Sequence, residues 1–399
     1  MVQVMGRTTT SSGDLPLSLR RPKEAYQIPV RFTGRGGEYF WIWIVNLALT
    51  ILTLSLYRPW ARVRTLRYFY GHTQIRKHPL DFQGDPWKML RAHLLVTLLL
   101  LGYVYSYGTS PRASVLGFVS LAVLWPALFR ASMQARMAHT TWRGVRFGFV
   151  GSLRGAYLFF SVPVLVVVAL AAASAALPGK WQTVAVVTSL VLLYALVPWF
   201  YWLLKKYQHD HFTYAQYKAE LRVGAGPFYG VFVRTTLMAL LVLLLSGAAL
   251  VGLAAMTWGT LQPLSSSKAA LDALRQTGAA LAPLVGLTVF SVLLLQAVLR
   301  AHFIARMQDL VWSRTGSRVF RFRSEMPAGP LVRLLLKQGV LTVLTLGLYY
   351  PFAQVELARA RLEALTLVSR ATLDELVSFG QGDMGDGGDN MMRTGYDRL

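Results

Sequence analysis

AYLFFSVPVLVVVALAAASAALPGKWQTVAVVTSLVLLYALVPWFYWLL, residues 156–204, decides the fold class. The stretch carries a single charge, Lys180, next to Pro178 and Gly179 at its middle. About 20 apolar residues at 1.5 Å rise cross a bilayer core, so the stretch holds two spans, 156–177 and 182–204, joined by a tight turn. A charge at the bilayer centre costs roughly 2.5–3.5 kcal/mol on insertion scales, which is why both runs exclude it.

Six further apolar runs flank this pair, at 39–57, 92–108, 114–133, 231–257, 279–299 and 332–350. Across all 399 residues only 15% are charged and 54% are hydrophobic, whereas soluble domains carry about 25% charge. The expected fold is an all-α polytopic membrane protein, built from repeated transmembrane helix pairs with short cytoplasmic β-strands. Residues 1–27 read as a disordered arm, 28–365 as the multi-pass membrane domain, and 366–399 as a cytoplasmic tail, disordered from about 380.

The net charge is +23. The basic residues lie between apolar runs and not on one polar domain, so they read as membrane topology, and no nucleic acid partner is expected. Loops 58–93, 130–155, 205–234 and 300–333 hold twenty-five Lys and Arg, against four in the loops of opposite parity. The long basic loops therefore face the cytoplasm. There Arg58, Arg62, Arg64, Arg67, Arg136 and Arg306 form a basic interfacial belt, with anionic lipid headgroups as the expected partner and an unidentified protein as a further one.

The first and last runs are weaker. The first holds Asn46, and the last holds Lys337, Gln338, Gly339 and Gly347. Eight full spans would place both termini outside and export the cations of the N-terminal arm. The preferred reading makes the two end runs re-entrant or interfacial, leaving six spans with both termini inside. Asn46, Gln338 and Lys337 are the candidate intramembrane polar residues, read first as a helix-packing hydrogen bond and second as part of a solute path.

Two internal matches stand out. Leu49–Ala61 recurs at Leu341–Ala353 with a constant offset of 292, pairing Tyr57 with Tyr349 and Pro59 with Pro351, with Trp60 beside them. At an offset of 170, Arg130, Ala131, Arg136 and Trp142 recur as Arg300, Ala301, Arg306 and Trp312. Segments 30–34, 80–84 and 145–149 alternate at period two and read as short hairpin strands, each with glycine after or beside it.

Phe32-Thr33-Gly34, Glu38-Tyr39-Phe40, Val45-Asn46 and Pro59-Trp60-Ala61 together resemble the start of YjgN-type proteins, a bacterial inner-membrane family of unassigned biochemical role. Trp142–Phe149 and Arg300–Phe303 resemble two further family blocks, so the resemblance extends over roughly residues 28–365. It implies a location in the bacterial cytoplasmic membrane and carries over no catalytic residue. Ser55 stands where the family more usually has glycine, which weakens the case for a sharp turn there.

Little chemistry is legible. There is no cysteine, and neither a nucleotide-binding glycine motif nor a nucleophile elbow occurs. His209 and His211 would point apart on a helix. Asp309 with Arg306, and Glu356 with Arg359 and Arg361, read as ion pairs. No catalytic residue, metal or cofactor is expected, and the chain is not expected to be an enzyme. It reads as a non-enzymatic membrane scaffold or interaction protein, with a transporter or channel for a small solute as the alternative.

Overall fold

The computed structural model describes residues 26–215, 217–261 and 270–370, together with Glu375 and Val377. Residues 1–25 of the expected N-terminal arm, and most of the tail expected at 366–399, lie outside the described residues. One order of elements, strand–helix–helix–strand, recurs five times along the chain. The first round is β1 (Tyr26–Phe32), α1 (Gly36–Leu52), α2 (Arg58–Gly71) and β2 (Thr73–Ile75). The second is β3 (His78–Phe82), α3 (Pro86–Thr109), α4 (Pro111–Ala138) and β4 (Thr140–Trp142). The third is β5 (Val145–Phe149), α5 (Leu153–Ala175), α6 (Lys180–His209) and β6 (Phe212–Tyr214). In the fourth the entering strand is split at Ala219 into β7 (Tyr217–Lys218) and β8 (Glu220–Leu221), followed by α7 (Gly226–Leu261), α8 (Ala270–Trp312) and β9 (Thr315–Gly316). The fifth is β10 (Phe320–Ser324), α9 (Ala328–Leu344), α10 (Tyr350–Glu363) and β11 (Leu365–Ser369).

Every strand pairs antiparallel with its neighbours in sequence except β7 with β8, and β11 pairs back onto β1. The eleven-stranded sheet is thus a nearly closed ring, whose two ends, β7 and β8, are joined through Ala219. Closure removes exposed edges, which otherwise invite aggregation. Each round is shut by the same backbone bond, from the residue after its first strand to the residue before its second. Thr33, Gln83, Val150, Arg222 and Glu325 donate N–H to the carbonyls of His72, His139, His211, Arg314 and Ala364, at 2.9, 2.9, 3.0, 2.9 and 3.1 Å. The ring centre is filled by Ile28, Trp142, Val145, Tyr214, Phe320 and Leu367, with Val377 of the C-terminal segment packed among them. The folded part therefore takes in residues on both sides of the expected 28–365 limits.

Above the ring stand the helices. Among the described residues six are long and apolar enough to cross a membrane, at 86–106, 112–138, 153–175, 180–209, 226–256 and 281–312. Their outer faces carry large apolar side chains open to the surroundings, among them Leu98, Leu116, Leu158, Leu190 and Leu244. Such continuous apolar surface belongs in lipid, where it meets chains of its own kind. The six central runs of the sequence coincide with these spans. The end runs do not. They form α1 and α9, each of 17 residues, or roughly 25 Å at 1.5 Å rise, and both fold straight back as α2 and α10.

The strands expected at 30–34, 80–84 and 145–149 correspond to the ends of β1 and β3 and to β5. That strands from all five rounds join one ring went unforeseen, because pairing partners far apart in sequence leave no local signal. The offset of 170 also fails at the ring. Thr140 and Thr315 hold the same place, each donating its hydroxyl to the carbonyl four residues back, an offset of 175. Trp142 therefore lies in β4, inside the ring, whereas Trp312 ends α8 and packs edge-on against His209 and Phe322. Alanine and arginine recur with the helical turn, so a shift of about one turn is invisible in composition, but backbone pairing is not so forgiving.

Candidate functional site

The two short hairpins, α1–α2 and α9–α10, concentrate the sequence-derived candidates. Their tips are built alike. Ser55 N donates to Thr50 O at 2.8 Å and Gly347 N to Thr342 O at 2.7 Å, the long bond of a Schellman stop. Thr53 Oγ1 accepts from Tyr57 N, and Thr345 Oγ1 from Tyr349 N, both at 3.0 Å. Pro59 and Pro351 then open the return helices, where a missing N–H costs nothing. The turn is as sharp at Ser55, with φ +73°, as at Gly347, with φ +93°. The expectation that serine argues against a tight turn there is overturned: the hydrogen bonds impose it.

Asn46 and Gln338 are both buried, but each bonds within its own hairpin. Asn46 Nδ2 donates to Ala61 O at 3.3 Å, and its Oδ1 has no partner among the described residues. Gln338 Nε2 donates to Glu356 Oε2 at 3.2 Å, and Lys337 Nζ lies 3.6 Å from Glu356 Oε1. Glu356 also accepts from Tyr349 OH at 3.3 Å. Its partners are thus Lys337, Gln338 and Tyr349 rather than the arginines on its own helix. Asp309 bonds to the strand β10 and the residues after it: its Oδ1 accepts from Ser324 Oγ at 2.7 Å and Met326 N at 3.0 Å.

The belt divides by role. Arg62 is flanked by Arg136 and Arg58; desolvation first, then those two charges, push its pKa down. Arg64 lies over the Tyr57 ring at 5.8 Å, and Trp60 stacks on Tyr57 and meets Trp87 edge-on at 5.1 Å. Arg67 instead donates to Gly84 O at 3.4 Å. Arg306 is exposed and stands apart on α8. The bond made by Arg67 has counterparts that sequence reading missed. Arg130 Nε donates to Gly151 O and Arg359 Nη2 to Gly34 O, both at 2.7 Å. In each case an arginine of one round holds the strand-to-helix corner of the next. Those glycines are required by close approach. A Cβ at Gly34 would lie 2.6 Å from the Phe32 ring and one at Gly151 2.5 Å from the Phe149 ring, with Phe82 likewise over Gly84. The Phe-x-Gly spacing was the visible signal.

Tyr68 braces the first corner. Its hydroxyl accepts from Arg35 N at 2.7 Å and donates to Arg35 O at 2.8 Å, and burial raises its pKa to about 12. His72 and His211 hold matching places, each with Nδ1 on the carbonyl four residues back, of Tyr68 and Tyr207. His209 meets Thr315 Oγ1 at 3.1 Å, so the two neighbouring histidines do diverge. No group of three metal-ligating side chains occurs among the described residues.

Three curated relatives share part of this sequence. The Inner membrane protein YjgN of Salmonella typhimurium is 33% identical over 155 residues, 37% of this chain and 38% of the relative. Its namesakes from Escherichia coli O157:H7 and strain K12 are 27% and 29% identical over 34% of the chain and 35% of each relative. The aligned stretch thus spans little more than a third of these proteins. No solved structure matches the chain. Together with six apolar helices, these relatives make the chain a multi-pass protein of the bacterial inner membrane. Residues 27–394 match the family described as bacterial protein of unknown function (DUF898), and the chain belongs to it.

Proposed function

We propose that the protein is a non-enzymatic scaffold that presents a rigid, basic strand ring at the cytoplasmic face of the inner membrane. The observation carrying this reading is the filled ring centre, where Trp142, Tyr214, Phe320 and Leu367 pack as a solid core. A solid core makes a platform. Orientation follows from charge: the turns of the ring carry Arg76, Lys77, Arg143 and Arg318, and cations stay on the cytoplasmic side. Arg58, Arg62 and Arg136 then sit where anionic headgroups gain about 1 kcal/mol per cation, and they serve as lipid anchors. The five rounds, closed by one recurring backbone bond, descend in this reading from one duplicated strand–hairpin–strand unit. Transport is the second reading, favoured by the buried, unpartnered Asn46 Oδ1.

Photo-crosslinking in intact cells separates the two. A crosslinker at Lys77, in a ring turn, should give one saturable protein adduct, lost on Arg76→Glu, while one at Leu101 on a lipid-facing helix should give none. Failure of the Lys77 adduct together with solute flux in proteoliposomes would replace the scaffold by the transporter.

A further inference from the structure

The turns at the helix-free end of the ring carry cations where the backbone favours other residues. Ile75 pairs with His78, which leaves Arg76 and Lys77 as a two-residue turn with φ of +47° and +70°. Asn-Gly makes such a turn most easily, and a residue with a Cβ is strained there. Trp142 pairs with Val145 across Arg143 and Gly144, at +49° and +82°. Arg318 is exposed in the turn between β9 and β10. Exposed Arg370 is tied to that turn, its N–H donating to Val319 O at 2.9 Å. None of these turns contains a carboxylate, and Arg76, Lys77 and Arg318 have no ion-pair partner among the described residues.

Strand pairing fixes how far apart these cations stand. β3 pairs with β4, so the Arg76–Lys77 turn and the Arg143 turn are two strand spacings, about 10 Å, apart. A single small anion does not bridge that gap, but a chain with carboxylates at the same interval does. Residues 378–392 hold Asp383, Asp386 and Asp389 and no Lys or Arg. Three residues of drawn-out chain measure about 10 Å. The aspartates lie outside the described residues, but Val377, six positions before the first of them, clusters with Trp142, Val145 and Val319, which flank the turns. The acidic segment therefore follows directly from the middle of the circle of cations. The ring has a radius of roughly 8 Å, and the residues from Val377 to Asp383 reach about 20 Å.

We propose that the acidic segment Asp383–Asp389 of this chain docks on the cationic turns of the ring, pairing its carboxylates with Arg76, Lys77 and Arg143. Surface ion pairs contribute little one by one, but the tether holds the segment at roughly millimolar effective concentration beside its partners. The strained Arg76 and Lys77 then serve binding and not folding. The contact needs only the charge of the turns, so it stands whether or not another protein docks there; a protein that does dock displaces the segment.

The test uses the full chain in detergent. It contains no cysteine, so Met384→Cys supplies one site for a spin label beside Asp383. At low salt the label should tumble slowly, and about 1 M salt should release it, because the screening length then falls to about 3 Å. Asp383→Asn/Asp386→Asn/Asp389→Asn should lower the ratio of slow to fast signal about fivefold or more, and Arg76→Asn/Lys77→Gly about fivefold. The turn variant should also melt at a higher temperature, since Asn-Gly fits the turn, which separates lost docking from lost fold. Should it not fold, Arg76→Gln/Lys77→Gln removes the same charges and should release the label as well. Arg333→Gln, which removes an exposed cation of α9, should leave the label slow. The proposal is overturned if the label tumbles freely at low salt with every charge in place. It is equally overturned if the folded turn variants leave the label slow, which would put the segment on other cations, those of the N-terminal arm included.

Discussion

Ser55 occupies a backbone region that L side chains avoid, at φ +73°, while its counterpart Gly347 sits at +93° without strain. A left-handed residue with a Cβ costs roughly 1–2 kcal/mol. The paired positions make a matched experiment, because the hydrogen bonds around them are the same. Ser55→Gly should stabilise the protein by about 1 kcal/mol, and Gly347→Ala should destabilise it by about as much. Thermal or denaturant melts in detergent micelles measure both. A fall in stability on Ser55→Gly would mean that the serine hydroxyl, and not the backbone, governs the tip. The Phe-x-Gly corners obey the same logic of space: the ring two residues before each glycine leaves no room for a methyl group.

At the scale of elements, the hairpins differ from the six spans in length and in what their tips expose. Leu54 and Leu346 are 90% and 94% open to their surroundings, and Leu52 and Leu344 flank them. Each helix reaches roughly 25 Å, short of a bilayer core of about 30 Å. An apolar tip on a helix too short to cross predicts an element that enters the membrane and returns. Trp at position 54, introduced as Leu54→Trp, should accordingly be quenched by brominated lipids and show a blue-shifted emission. Unquenched, water-like emission would place the hairpin outside the membrane. On the return helices α2 and α10, Arg67 and Arg359 hold the carbonyls of Gly84 and Gly34, and Arg361 the side chain of Gln308.

For the whole molecule, closure of the ring dictates topology. β1 and β11 pair side by side, and six spans, an even number, separate them. The two ends of the described chain therefore lie on one side of the membrane. Reporters fused at either terminus should be active in the cytoplasm, and a periplasmically active C-terminal fusion would refute both this orientation and the re-entrant hairpins. The pairing also explains why rounds one and five support each other, with Tyr39 OH donating to Gln354 Oε1 at 2.9 Å and Phe40 packing on Phe352.

The membrane class, the six central spans and the difference of the end runs from them were legible in the order of residues. They rest on transfer free energies that each segment experiences alone, so a linear reading suffices. The offset of 292 was legible as well, because Thr53, Tyr57 and Pro59 each solve a local problem that recurs at Thr345, Tyr349 and Pro351. Tertiary structure alone decided that short strands from all five rounds close into one ring, and that Arg67 grips a neighbouring corner rather than lipid. It alone brought Gln308 and Arg361 into contact, 53 positions apart. Contacts between rounds depend on the geometry of closure, which no segment of the chain carries by itself.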